Sequence, residues 1–263
     1  MTTEEIRSHF VFDTLFAPGA IQTVYADADR AILGGAVPTT APLALTGSRK
    51  EMAAEFFAER REIGIVNVGG EGTVRADDKT LPLSFKDMAY IGRGVRNIEF
   101  TSANAGTPAA FFLVSFPAHT SYPVAVMQYA GADKTHLGSV EKANKRTINK
   151  YIHAGGIRSC QLVMGLTDLE SGSVWNTMPP HTHMRRMEIY LYFGIDPESV
   201  VVHLMGPPQE TRSVILRNRN AVLSPPWSVH CGAGTGSYSF IWAMGGENQE
   251  FSDMDAVGMK DLR

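Results

Sequence analysis

The sequence predicts a mainly β chain built as two tandem antiparallel β-barrels with a few short helices, and three observations predict it. Gly 25 and Pro 14 punctuate a chain of 263 residues into short apolar runs. Those runs are about four to eight residues long and rich in β-branched and aromatic side chains, as strands are. Two stretches, ERREIGIVNVGGEGTV (59–74) and MRRMEIYLYFGIDPESV (184–200), each set Arg-Arg ahead of a glutamate, Glu62 or Glu188, and an apolar strand, as a duplicated barrel would.

In chain order the expected strands include 63–68, 110–116, 161–166, 189–193, 200–205, 213–216 and 237–243. The helical candidates are fewer. Residues 50–61 (KEMAAEFFAERR) follow Ser48, a suitable N-cap, and carry apolar residues at helical spacing. Residues 142–152 offer a second short helix. The boundary between barrels is expected in the polar stretch 131–150, giving an N-terminal domain of 1–130 and a C-terminal domain of 131–263.

Composition narrows the function. With 44% hydrophobic and 19% charged residues the chain reads as globular, and no apolar run approaches the roughly 20 residues that span a bilayer, so no membrane partner is expected. A formal charge of -3 with scattered basic residues leaves no footprint for nucleic acid. The opening MTTEEIRSHFVFDTLF lacks the pattern of a secretory signal, and a cytoplasmic location is expected. Cys160 and Cys231, the two cysteines, are too few for a disulfide framework and are expected as thiols. Small molecules are the expected partners.

Histidines cluster. None lies between His9 and His119, while the later chain holds His136, His153, His181, His183, His203 and His230. In a strand introduced by Pro180, His181 and His183 point to one face, their Cα atoms about 6.6 Å apart, close enough to converge on one ion at about 2.1 Å from each nitrogen. Glu188 lies at an odd offset and meets that pair only if the polar MRRM (184–187) reverses the chain, after which Glu188, Tyr190 and Tyr192 share one face of the next strand. The later SPPWSVHCG (224–232) adds His230 after a proline-fixed turn, with Cys231 facing away. Three imidazoles and a carboxylate leave coordination positions open if the metal expands beyond four ligands, the condition of a catalytic site. Nitrogen and oxygen donors suit Zn, Fe, Mn, Ni or Co without choosing among them. His203 and His153 are read as structural. With His9 and His119 its only histidines, the N-terminal barrel is expected to hold no metal.

His181, His183, Glu188 and Gly194 resemble the first cupin motif, one residue short before the glycine. The second motif is present only as Pro225 and His230, with Trp227 where the family has glycine. NTMPPHTHMRRMEIYLYF (176–193), GIVNVGGEGTV (64–74), SPPWSVHCGAGTGSYSFIWAMGGENQ (224–249) and FSDMDAVGMKDLR (251–263) resemble the 5-keto-4-deoxyuronate isomerases, or 4-deoxy-L-threo-5-hexosulose-uronate ketol-isomerases, over nearly the whole chain. The resemblance implies two cupin-like barrels of jelly-roll type, zinc on His181, His183, Glu188 and His230 at one per chain, and a homohexamer. It also implies conversion of 5-dehydro-4-deoxy-D-glucuronate to 3-deoxy-D-glycero-2,5-hexodiulosonate in pectin degradation. Tyr190 and Tyr192 are candidates to donate or relay protons, and Arg185 or Arg186 to bind the substrate carboxylate. Competing readings are a 5-deoxyglucuronate isomerase, an iron-dependent cupin dioxygenase and a non-catalytic sugar-acid-binding bicupin.

Overall fold

In the computed structural model, which describes residues 1–263, burial pattern sorts the strands into two kinds. Arg61–Asn67 and Arg186–Phe193 are buried at every position, whereas Gly72–Ala76 and Lys79–Leu83 alternate buried with exposed residues. The first pattern belongs to strands covered on both faces, the second to a sheet with one wet face.

Contacts group the chain into two units, Thr14–Ala132 with Tyr151–Val163, and Met1–Asp13 with Asp133–Lys150 and Met164–Arg263. The tandem division expected at 1–130 and 131–263 differs from these units by the residues up to Asp13, by 131–132 and by Tyr151–Val163. The N-terminal helix Thr3–Phe10, closed by a capping box between Thr2 and Glu5, joins the C-terminal strands. Arg7 donates to the Ile215 carbonyl at 2.8 Å and Val11 pairs with Val222.

Each unit is a pair of antiparallel sheets and not a closed barrel, because the ladders end in edge strands. In the unit containing Thr14–Ala132, a six-stranded sheet runs Ala125–Met127, Met88–Ile91, Arg61–Asn67, Phe111–Pro117, Ile32–Ala36, Ile21–Tyr25. It packs on a four-stranded sheet of Leu43–Ala44, Ile98–Ser102, Gly72–Ala76 and Lys79–Leu83. Ile63, Ile65 and Leu113 from one sheet join Val74, Leu83 and Phe100 from the other in one core. On the other face of the six-stranded sheet from this core, the fully buried Glu62 carboxylate accepts from the Tyr90 hydroxyl at 2.7 Å. It also accepts from the backbone amides of Cys160, Gln161 and Leu162 at 2.7, 2.7 and 2.9 Å.

In the other unit a seven-stranded sheet runs Val11–Phe12, Ala221–Ser224, Arg186–Phe193, Ser239–Gly246, Val163–Leu169, Arg146–Ile152, Asp133–Leu137. A four-stranded sheet of Trp175–Asn176, Val229–Gly234, Val201–Gly206 and Arg212–Leu216 covers it, and His181–Thr182 pairs separately with Asp255–Ala256. Gly194 ends Arg186–Phe193 at φ +66°, a left-handed turn that glycine adopts without penalty.

The helical expectations are corrected. Residues 50–61 yield only Arg49–Met52, capped by Ser48 and stopped where Ala53 turns left-handed. Phe57 and Ala58, buried in the core, form a single 3-10 turn. Residues 142–152 contain a strand, Arg146–Ile152, paired with Asp133–Leu137, since its cross-strand ladder outweighs weak helix propensity.

Candidate metal centre

His181 stands on the two-residue strand His181–Thr182, held by Asp255–Ala256 and not by a hairpin to Glu188. The chain reverses directly after it, with the Arg186 amide donating to the His183 carbonyl at 3.4 Å, and Glu188 follows on Arg186–Phe193. The turn at Pro225–Ser228, closed by the Ser228 amide on the Pro225 carbonyl at 2.9 Å, delivers His230 on the facing sheet. The sequence spacing thus meets in space: one ligand atom from each of His181, His183, Glu188 and His230 lies within 4.8 Å of every other. Glu188 Oε2 is 3.0 Å from His183 Nε2 and 2.8 Å from His230 Nε2. The Nε2 atoms of His181 and His230 face each other at 3.0 Å.

The outer ring nitrogens are anchored by backbone. His183 Nδ1 lies 3.2 Å from the Arg186 carbonyl and His230 Nδ1 3.3 Å from that of Ser228, which turns both Nε2 atoms inward with their lone pairs available. Burial, with His230 next, pulls the His181 pKa down to about 3, so its ring is a neutral donor. Burial pushes the Glu188 carboxyl up, but the electrostatic pull of His230 and hydrogen bonds from His183 and His230 outweigh it, and the net shift is downward. A neutral His181 ring beside an ionised Glu188 carboxylate matches the protonation states in which these groups bind metal. Cys231 is fully buried, its thiol pushed up to about 12 by burial.

His181 and Glu188 line a cavity of about 220 Å³ with Tyr190, Thr177 and Arg146. The remaining wall is largely apolar, including Met178, Phe240, Trp242, Phe251 and Met254. Gly165 lets Trp242 into this wall, since a Cβ there would lie 2.4 Å from the indole. Sequence parity put Tyr190 and Tyr192 on one face, but only Tyr190 reaches the cavity. Its hydroxyl is 2.8 Å from Thr177 Oγ1, and burial, then Glu188, raises its pKa well above the ordinary value. The Tyr192 hydroxyl sits deeper, 2.8 Å from His203 Nδ1 and 3.3 Å from Asn176 Nδ2. Neither Arg185 nor Arg186 lines the cavity. Arg185 pairs with Asp253 and Asp255, and the buried Arg186 donates to the carbonyls of Glu250, Phe251 and Asp253. The carboxylate-binding role offered to them thus meets guanidinium groups turned to the C-terminal segment. Arg146 also lines the cavity, with Ile148 two residues on along the same strand face, a placement that the helix expected over 142–152 does not signal.

A two-sheet β unit with a His-x-His pair, a glutamate and a distant histidine on one small cavity defines a cupin-like protein with a cluster able to hold a metal. The KduI/IolB family model matches residues 17–258, and the chain belongs to that family. The 4-deoxy-L-threo-5-hexosulose-uronate ketol-isomerase of Opitutus terrae is 54% identical over 260 residues, 99% of this chain and 94% of its own. Among solved structures, an iolb-like protein of Salmonella typhimurium LT2 superposes with a TM-score of 0.73 at 13% identity, covering 94% of this chain and 96% of that one. Bacillus subtilis oxalate decarboxylase, a protein with Mn(II) centres, gives 0.63 at 9% identity, covering 93% and 77%. These two likenesses are of fold. No helix is long and apolar enough to cross a membrane.

Proposed function

We propose that this chain is a metal-dependent ketol-isomerase converting 4-deoxy-L-threo-5-hexosulose uronate, an open-chain aldehyde, to the ketone 3-deoxy-D-glycero-2,5-hexodiulosonate. The observation that carries the reading is the convergence of His181, His183, Glu188 and His230 on one cavity, in a chain about half identical over its full length to proteins named for that activity.

The donor set fits a divalent transition metal: inward-turned imidazole nitrogens, one carboxylate and no thiolate. His181, His183, Glu188 and His230 would hold it. When bound, such a metal polarises a carbonyl oxygen and stabilises the charge that develops as the adjacent C–H proton leaves. Zinc, one per chain, is favoured by the family resemblance, which also favours a hexamer and a place in pectin degradation.

The chain's own residues then divide the work. Tyr190, un-ionised and fixed by Thr177, is placed to give or return a proton at the substrate oxygen beside the reacting carbons. The apolar wall keeps water from the reacting carbons. Arg185 and Arg186 hold the segment that brings Phe251 and Met254 to the cavity.

Turnover of the uronate should vanish on treatment with a chelator and return with one divalent metal per chain. Full activity of metal-free protein would overturn metal dependence. Turnover of 5-deoxyglucuronate in place of this uronate would favour the second activity of the family. Glu188→Gln should lower kcat at least about 100-fold and release the metal. Deuterium from solvent should enter the product; its complete absence would indicate hydride transfer.

A further inference from the structure

We propose that Arg146 is the residue that binds the substrate carboxylate and selects acids over neutral sugars. The inference rests on the reading of the cavity as a uronate site and names the group that recognises the acid end.

Arg146 is the one cationic side chain lining the cavity shared by His181, Glu188 and Tyr190. It opens the strand Arg146–Ile152, and Ile148, two residues on, lines the same cavity, so strand alternation aims both side chains inward. Its Nη1 donates to the Asn144 carbonyl at 2.8 Å, which fixes the side chain and leaves other donors of the planar fork free for a ligand.

The buried arginines are provided for differently. Arg61 donates to Ser115 Oγ and to the carbonyls of Arg30 and Ser115, and Arg186 to three carbonyls. Arg146 has a single neutral acceptor. Burial lowers its pKa, and the groups that act against this are the hydroxyls of Tyr190 and Tyr238, with no carboxylate among them. A desolvated cation of this kind is stabilised by an anion arriving with its own charge.

Arg146 also lines, with Leu137, Met178 and Pro179, a neighbouring hollow of about 910 Å³. The guanidinium therefore stands in the wall common to both spaces, where an anion entering through the larger one meets it before reaching the histidines. Lys142 lines that hollow as well and adds to the positive field along the approach.

The test uses full-length metal-loaded protein, Arg146→Met and Arg146→Lys, with the uronate and its methyl ester as substrates. Arg146→Met should raise KM for the acid at least about 30-fold with metal content and circular dichroism unchanged. Its preference for acid over ester in kcat/KM should collapse, and Arg146→Lys should recover part of it. Wild-type KM in Arg146→Met, or an undiminished preference for the acid, would overturn the proposal. Calorimetric binding of unreactive glucuronate to wild type and Arg146→Met separates this from failure of the functional reading. Absent turnover with binding that still depends on Arg146 rejects the isomerase and keeps the anion site, whereas binding that ignores Arg146 rejects the site.

Discussion

Arg185 Nε lies 2.8 Å from Asp253 Oδ1 and 3.0 Å from Oδ2, while its Nη2 also reaches Asp255 at 3.0 Å. One arginine next to the His-x-His pair thus grips the segment whose Asp255–Ala256 pairs with His181–Thr182.

Loosening that grip should disturb the site without touching a ligand. Arg185→Ala is expected to lower kcat/KM roughly 10–100-fold, with faster proteolysis after residue 247 and a metal content still measurable by mass spectrometry. Kinetics indistinguishable from wild type would show that the segment holds itself in place.

The two tyrosines should separate. Tyr190→Phe, which removes a hydroxyl facing the cavity, should lower kcat about 100-fold or more at unchanged metal content. Tyr192→Phe should spare kcat and cost about 1–2 kcal/mol of stability in urea denaturation, because it strips buried His203 and Asn176 of a partner. Reversal of the two phenotypes would assign the proton relay to Tyr192 instead.

Stability should fall on acidification through His203, which is fully buried. Burial, then His230, lowers its pKa to about 3, so the folded chain leaves the ring neutral where the unfolded chain protonates it, below about pH 6.5. The associated stability is complete above that pH and is lost as pH falls toward 3. This one group contributes a slope of about 1.4 kcal/mol per pH unit within the window. Urea titrations of metal-free protein between about pH 7 and 4.5 should show it, and His203→Gln should be shallower by about one proton. Equal slopes would refute the assignment.

Glu62 should matter to stability and not to metal. Glu62→Gln replaces an acceptor of several donors by an amide that accepts fewer and adds N–H groups, and should cost about 2–4 kcal/mol. Metal per chain should stay at the wild-type value; its loss would show that the site depends on this carboxylate.

The sequence carried the convergence of His181, His183, Glu188 and His230 because their separations are matters of strand parity and a turn, both local. It did not distinguish Tyr190 from Tyr192, since parity names a face and not a depth along it. Arg185 and Arg186 were similarly ambiguous: their partners, Asp253, Asp255 and the carbonyls near them, lie more than sixty residues away in sequence. Arg146 was concealed because the polar stretch around it has no apolar periodicity of its own, and only pairing with Asp133–Leu137 makes it a strand. The open sheets, in place of closed barrels, depend on where ladders stop, which hydrophobic pattern does not encode.

The three amides that reach Glu62 come from residues 98 to 100 positions further along the chain. During synthesis the glutamate therefore leaves the ribosome long before these three amides, although Tyr90, its other donor, follows sooner. Those three bonds must wait for residue 162 to emerge. The helix Thr3–Phe10 waits longer still, since the strand it leans on ends at Leu216. The contacts of Arg7 with Ile215 and of Val11 with Val222 thus tie residues about two hundred positions apart, and form only once both ends of that span are present.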